Sequence, residues 1–180
     1  MLFNSLLGNS TLKRLYFWHN DITFVGLRSL AKVIRDPRCK LAKLSLRQAN
    51  INDEGGNILG RALCGSSVKD LDLSDNRSIT SAGWQRLLNN HLAQVSLVRL
   101  DLGGNEIDNS IGTSALANIG TLQSLHLGGN NSITPIGWRT FFNAYSNLNL
   151  VHLRLDDSRI DDNGIHALTR LVSRMCSNFG

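Results

Sequence analysis

Six copies of one short pattern set the terms on which this chain can fold. Leu12-x-x-Leu15-x-Phe17-x-x-Asn20-x-Ile22 recurs as Leu41-x-x-Leu44-x-Leu46 with Ile51, and as Val68-x-x-Leu71-x-Leu73-x-x-Asn76 with Ile79. It returns as Leu97-x-x-Leu100-x-Leu102-x-x-Asn105-x-Ile107, as Leu122-x-x-Leu125-x-Leu127-x-x-Asn130 with Ile133, and as Leu150-x-x-Leu153-x-Leu155 with Ile160. From Leu15 through Leu44, Leu71, Leu100 and Leu125 to Leu153 the steps are 29, 27, 29, 25 and 28 residues. A period in this range marks stacked units, each burying its apolar surface against its neighbours.

Each part of the unit has a physical reading. Leu-x-Leu alternates with period two, so one face of a short strand is apolar and the other is free. The Asn column suits a turn, where a buried amide satisfies backbone groups leaving the strand. Four residues past the Ile stands a glycine, at Gly26, Gly55, Gly83, Gly137 and Gly164, which allows a close approach before a helix. Helical spacing follows in Leu27/Leu30/Ala31, Ile58/Leu59/Ala62/Leu63, Trp84/Leu87/Leu88, Trp138/Phe141/Phe142 and Ile165/Leu168/Leu171/Val172. Parallel strands lie ~4.8 Å apart, and the thicker helices force the stack to curve with the strands inside. The expected fold is therefore an α/β solenoid of six repeats, right-handed, with a parallel sheet on the concave side and helices on the convex side. The chain, 1–180, reads as one domain with repeats starting near 12, 41, 68, 97, 122 and 150, and with 1–11 as the tail helix of a preceding or capping repeat.

Over residues 10–172 the pattern resembles the leucine-rich repeat family, in the long-repeat subclass typified by ribonuclease inhibitor. Similar repeats occur in the Ran GTPase-activating protein and in the C-terminal part of nucleotide-binding immune receptors. The resemblance implies a non-enzymatic protein-interaction module. It leaves as alternatives a GTPase regulator of the Ran-activating type and a sensor fragment of a nucleotide-binding immune-type receptor. Departures from the pattern matter too. Ala49 and Ser158 replace the column Asn, which predicts weaker bonding in those two turns. The turns Asn76-Arg77-Ser78-Ile79 and Asn130-Asn131-Ser132-Ile133 carry one extra residue. The fourth copy is short, with Gly112 displaced by Ile111, so its outer segment is expected to be a shortened or irregular helix. Polar caps are missing at both ends, which suggests a fragment of a larger chain, ends covered by partners, or self-association through uncapped ends.

Composition narrows the function. With 42% hydrophobic and 18% charged residues, intrinsic disorder is excluded. No run reaches the ~18 apolar residues of a membrane span, and the first ten residues do not form a signal peptide. A formal charge of +5 and a pI near 9.5 invite a nucleic-acid reading. Yet residues 1–50 hold 9 Lys/Arg and 2 Asp/Glu, while residues 51–180 hold 10 and 12. The basicity is local to the first quarter. Cys39, Cys64 and Cys176 have no CxxC or zinc spacing, so they are expected to be reduced, buried residues of a cytoplasmic or nuclear protein, with no cofactor and no structural metal.

The free strand positions fall into three columns. The residue between the second and third Leu reads Tyr16, Ser45, Asp72, Asp101, His126 and Arg154. Two residues later the column reads Trp18, Arg47, Ser74, Gly103, Gly128 and Asp156, and two earlier it reads Arg14, Lys43, Asp70, Arg99, Ser124 and His152. These positions face solvent on the concave side and have no core duty, so they are the candidate partner-binding residues. Arg14, Tyr16, Trp18, His19, Lys43 and Arg47 form a basic-aromatic patch of the residue types enriched at binding hot spots, suited to an acidic protein surface and less to nucleic acid. Asp70, Asp72, Asp75 and Asp101 form an acidic middle, with Asp72 and Asp101 as lateral neighbours and Arg99 near enough to neutralise them. A partner with a mixed charge pattern fits this face.

Catalytic readings are weaker. A carboxylate pair such as Asp72 and Asp101 resembles a glycosidase dyad, but that dyad needs an enclosed cleft. His126 beside Asp101 and Arg154, with His152 diagonal, could suggest a divalent metal site, yet the repeat fixes no third ligand. Gly103-Gly104 and Gly128-Gly129 lack the Gly-Lys-Ser/Thr of a phosphate loop and read as bare backbone that a partner can approach. Trp84 and Trp138, equivalent positions after the repeat glycine, read as inter-helix packing.

Overall fold

The leucine triplets become six short strands: β1 (Arg14–Tyr16), β2 (Lys43–Ser45), β3 (Asp70–Asp72), β4 (Arg99–Asp101), β5 (Ser124–His126) and β6 (His152–Arg154). The computed structural model describes residues 2–110, 116, 119–146 and 149–177. All strands are parallel and lie in chain order. The register is in phase throughout: Leu15 opposes Leu44, then Leu71, Leu100, Leu125 and Leu153. A one-residue slip would turn these leucines out of the core, so burial holds the register. Leu44, Leu71 and Leu125 are fully buried, whereas Leu15 and Leu153 on the outer strands are only partly covered.

Behind the sheet lie α1 (Phe24–Arg35), α2 (Asp53–Leu63), α3 (Ser81–Asn90), α4 (Pro135–Ala144) and α5 (Asp162–Ser177). The side chains of Thr23, Asn52 and Thr80 cap α1, α2 and α3 by accepting from the backbone N–H three residues on, at Gly26, Gly55 and Gly83. The repeat glycines thus sit inside the first helical turn, not before it. At two of them the neighbouring repeat demands glycine: a Cβ at Gly83 would overlap the Asp53 carboxylate, and one at Gly137 the Asn109 amide. Asp53 in turn accepts from Thr80 N and Oγ1 at 2.7 Å each, and Asn109 Oδ1 accepts from Thr134 N at 2.8 Å and Oγ1 at 3.1 Å. Helix starts are therefore stitched from repeat to repeat.

Asparagines tie the turns in the same way. Asn76, Asn105 and Asn130 are buried, and each donates to a carbonyl of its own turn and to one of the preceding repeat. Asn76 Oδ1 also accepts from Ala49 N and Ile51 N at 3.1 Å, so the second turn, which lacks its own Asn, is held by the third repeat's. Asn105 Oδ1 has no such partner. The extra residue in the third turn redirects Ile79 N to Asn76 O of its own turn. In the sixth turn the Ser158 hydroxyl is buried without a partner, in keeping with weaker bonding there.

One backbone device escapes the sequence pattern. The fourth residue past the second Leu has positive φ in every repeat: His19, Gln48, Asp75, Gly104, Gly129 and Asp157. This left-handed step turns the chain off the strand, at a cost of about 1–2 kcal/mol for a non-glycine residue. The second glycine of each Gly-Gly pair meets this need.

Several expectations change. Ile165 and Val172 of α5 are half exposed, and Ala167 and Leu171 form its buried line, where α5 packs against α4 and the core. The described part of segment 1–11 holds a short 3₁₀ helix, Leu2–Leu6, followed by Gly8 at φ +79°. Cys39 and Cys64 are partly buried and Cys176 is exposed, so none belongs to the fully buried core. The expected irregular helix of the fourth repeat, including Gly112, falls on residues outside those described. Trp84 and Trp138 are fully buried, and Trp138 stacks on Phe142.

Candidate functional site

The three columns form three rows of side chains across the strands. In the first row Lys43 Nζ pairs with Asp70 Oδ2 at 2.9 Å, and Arg99 approaches the same oxygen at 4.0 Å. Arg99 therefore serves Asp70, not the Asp72/Asp101 pair. Arg14 is exposed at one end of this row and His152 at the other.

The second row is a hydrogen-bonded chain. Trp18 Nε1 donates to Ser45 Oγ, and Ser45 Oγ donates to Asp72 Oδ2 at 2.7 Å. Asp72 Oδ1 accepts from Ser74 N at 3.0 Å and Ser74 Oγ at 2.6 Å. Serine hydroxyls thus stabilise Asp72 where a basic neighbour was expected. Ser45 and Ser74 are buried, yet Trp18 remains 52% exposed and Tyr16 48%. The two rings meet edge to face, 5.7 Å between centroids at 84°. A surface indole is thereby fixed by a largely buried polar network, although neither serine stood out in the sequence. A serine in line with a tryptophan and an aspartate on adjacent strands was the available signal.

Further along, His126 lies between two carboxylates. Its Nε2 is 3.2 Å from Asp156 Oδ2, and its Nδ1 is 2.9 Å from Asp101 Oδ1, a close ion-pair contact with poor hydrogen-bond alignment. The Asp101 contact raises the His126 pKa above the ordinary histidine value, against the opposing effect of burial. Burial pushes Asp101 up, but His126 and the Gly103 N–H outweigh it and hold the carboxyl low. Arg154 binds Asp156 at 2.8 Å and lowers its pKa. A Cβ at Gly103 would come within 2.6 Å of the His126 ring, and one at Gly128 within 2.5 Å of the Asp156 carbonyl. The bare backbone read as room for a partner is already filled by His126 and the next strand. Among the described residues no three His, Cys, Asp or Glu side chains gather as metal ligands.

Arg47 of the basic patch pairs with Asp75 at 3.0 Å, and His19 sits at the left-handed turn, off the strand itself. Lys69, which the columns omit, lines the same groove as Arg14, Tyr16, Lys43, Asp70 and Arg99. It precedes β3 by one residue, where strict alternation no longer tells which way a side chain points.

The family profile described as Leucine Rich repeat matches residues 8–31, 66–87, 94–114 and 121–140. "NACHT, LRR and PYD domains-containing protein 14" of Mus musculus is 30% identical over 169 residues, covering 93% of this chain and 14% of that protein. This chain therefore spans only a small part of that relative's length. The tropomodulin C-terminal domain of Caenorhabditis elegans superposes with a TM-score of 0.60 at 12% identity, over 98% of this chain and 92% of that one. Leiomodin-1 Actin-Binding Site 2 gives 0.64 at 15% identity, over 87% and 91%. At these identities the two structures share the fold alone. No helix among the described residues is long and apolar enough to cross a membrane.

Proposed function

We propose, for a chain that belongs to the leucine-rich repeat family, a non-catalytic role: it binds a protein partner through the concave strand face, in the manner of the ribonuclease-inhibitor-like subclass. The observation that carries this reading is the exposed Tyr16–Trp18 pair, held through Ser45 to the Asp72 carboxylate. A solvent-facing tryptophan ordered in advance loses little side-chain freedom on binding, which raises the affinity obtained from its contact area. The mixed charges of Arg14, Lys43 and Arg47 at one end, and Asp101, Arg154 and Asp156 at the other, favour a partner with its own charge pattern. The groove is open along its length and suits a macromolecular surface better than an enclosed substrate.

The similarity to the mouse NACHT, LRR and PYD protein supports a second, compatible reading: a recognition segment within a larger receptor-like protein of the cytoplasm or nucleus. Affinity capture from the native source, with wild type and Trp18→Ala side by side, tests the binding reading. The captured partner should be lost with Trp18→Ala while the melting temperature stays unchanged. Retention of the partner at the wild-type level removes this face as the site.

A further inference from the structure

The amino-terminal ends of β1–β4 gather charge that the columns alone divide among separate positions. Arg14, Lys43, Lys69 and Arg99 line one open groove with Tyr16, and Asp70 is its one carboxylate. Asp70 is already shared between Lys43 and Arg99. Arg14 and Lys69 are exposed and make no ion pair among the described residues. Four cations against one carboxylate leave an excess of three positive charges in a narrow strip at the start of the strands.

The strip has a defined length. Arg14, Lys43, Asp70 and Arg99 are register partners on successive strands. Three strand steps span about 14 Å, the reach of four to five residues of extended peptide. Charge confines the ligand further. Asp72 and Asp101 stand two residues along the strands from this row, about 7 Å away, with Asp75 and Asp156 further along. Asp72 and Asp101 thus lie within one Debye length, roughly 8 Å at physiological salt. A nucleic-acid duplex is too wide to keep its phosphates off those carboxylates, whereas a short acidic peptide places its charge on the basic row alone. Tyr16 closes one end of the row, with Lys43 Nζ 5.8 Å from its ring centroid and Trp18 against its edge.

We infer that this groove docks an extended acidic segment of a partner protein, its Asp or Glu carboxylates on Arg14, Lys69 and Arg99 and a flanking apolar side chain against Tyr16 and Trp18. The inference rests on the concave-face reading and adds the chemical class of what is bound there. Lys69 and Arg99 hold no core position, so reversing them tests the charge without emptying the core.

The experiment measures fluorescence anisotropy of a labelled peptide of roughly six residues, four consecutive Glu with a Phe on each side, against its Gln counterpart and a short single-stranded oligonucleotide. The Glu peptide should bind more tightly than both competitors, with affinity falling as salt rises. Lys69→Glu with Arg99→Glu should weaken it by about tenfold or more, and Arg14→Glu alone should weaken it as well, with circular dichroism of each variant unchanged. Equal binding of the Glu and Gln peptides, indifference to the reversals in folded protein, or tighter binding of the oligonucleotide would each overturn the inference. Its failure is separable from failure of the concave-face reading. A partner captured through Trp18, with no discrimination between the Glu and Gln peptides, defeats only the acidic-segment assignment.

Discussion

Removing the Asn76 side chain should be far more damaging than removing the same side chain one repeat later. Asn76 is fully buried, accepts from Ala49 N and Ile51 N, and donates to Leu46 O, Leu73 O and Ser74 O. Alanine there leaves two buried N–H groups without an acceptor, at about 1–3 kcal/mol each, and several carbonyls short of a donor. The expected loss for Asn76→Ala is about 3–5 kcal/mol, a large part of the ~5–15 kcal/mol that holds a typical domain folded. Asn105 donates only to Leu73 O and Leu102 O, and its Oδ1 has no partner to strand, so Asn105→Ala should lose about 1–2 kcal/mol. Among the described residues Asn130 accepts from Ile107 N, one donor against the two at Asn76, and should fall between them. Asn20 is exposed and donates to Trp18 O, so its replacement should change stability by no more than about 0.5 kcal/mol. Urea unfolding of the four variants, followed by circular dichroism and by the fluorescence of buried Trp84 and Trp138, gives the order. Coincidence of the two probes checks that the solenoid unfolds as one unit. Equal losses for Asn76→Ala and Asn105→Ala would refute the assignment of the extra cost to stranded backbone donors, as would a loss under about 1 kcal/mol at Asn76.

Two further outcomes follow from the same contacts. The folded state raises the pKa of His126, so its contribution to stability is full below the unfolded value of about 6.5 and disappears as pH rises through the folded one. Unfolding of wild type and His126→Gln between about pH 6 and pH 9 should show the wild type losing its relative advantage on the alkaline side; parallel curves would contradict the charge pairing. His91 shifts the other way, through burial first and Arg61 second, and cancels in that comparison. Gly65 has φ +75° and open space around it, so Gly65→Ala should lose only the left-handed penalty of about 1–2 kcal/mol. Gly104→Ala should lose more in the same denaturation assay, because its Cβ displaces the Asp75 carboxylate that Arg47 binds. An equal loss at the two glycines would show that the Asp75–Arg47 contact contributes nothing.

The repeat alone determined the sheet and its register, because a two-residue alternation inside a period of 25–29 residues leaves one way to bury every second leucine. It also placed Arg14, Tyr16, Trp18, Lys43, Asp70, Asp101 and His126 on one face, since strand positions in phase must face the same way. Which neighbour each of these side chains engages was decided by tertiary structure. Arg99 serves Asp70, Ser45 and Ser74 hold Asp72, and His126 occupies the space over Gly103, because flexible side chains within a strand spacing of several partners choose by distance and solvation, not by sequence interval. The same limit hid the left-handed column at His19, Gln48, Asp75, Gly104, Gly129 and Asp157, where only two of six positions are glycine. It also hid Lys69, one residue beyond the alternating strand. Periodicity specifies phase; the stacking of one repeat on the next specifies the contacts, and the polar face of this protein is made of those contacts.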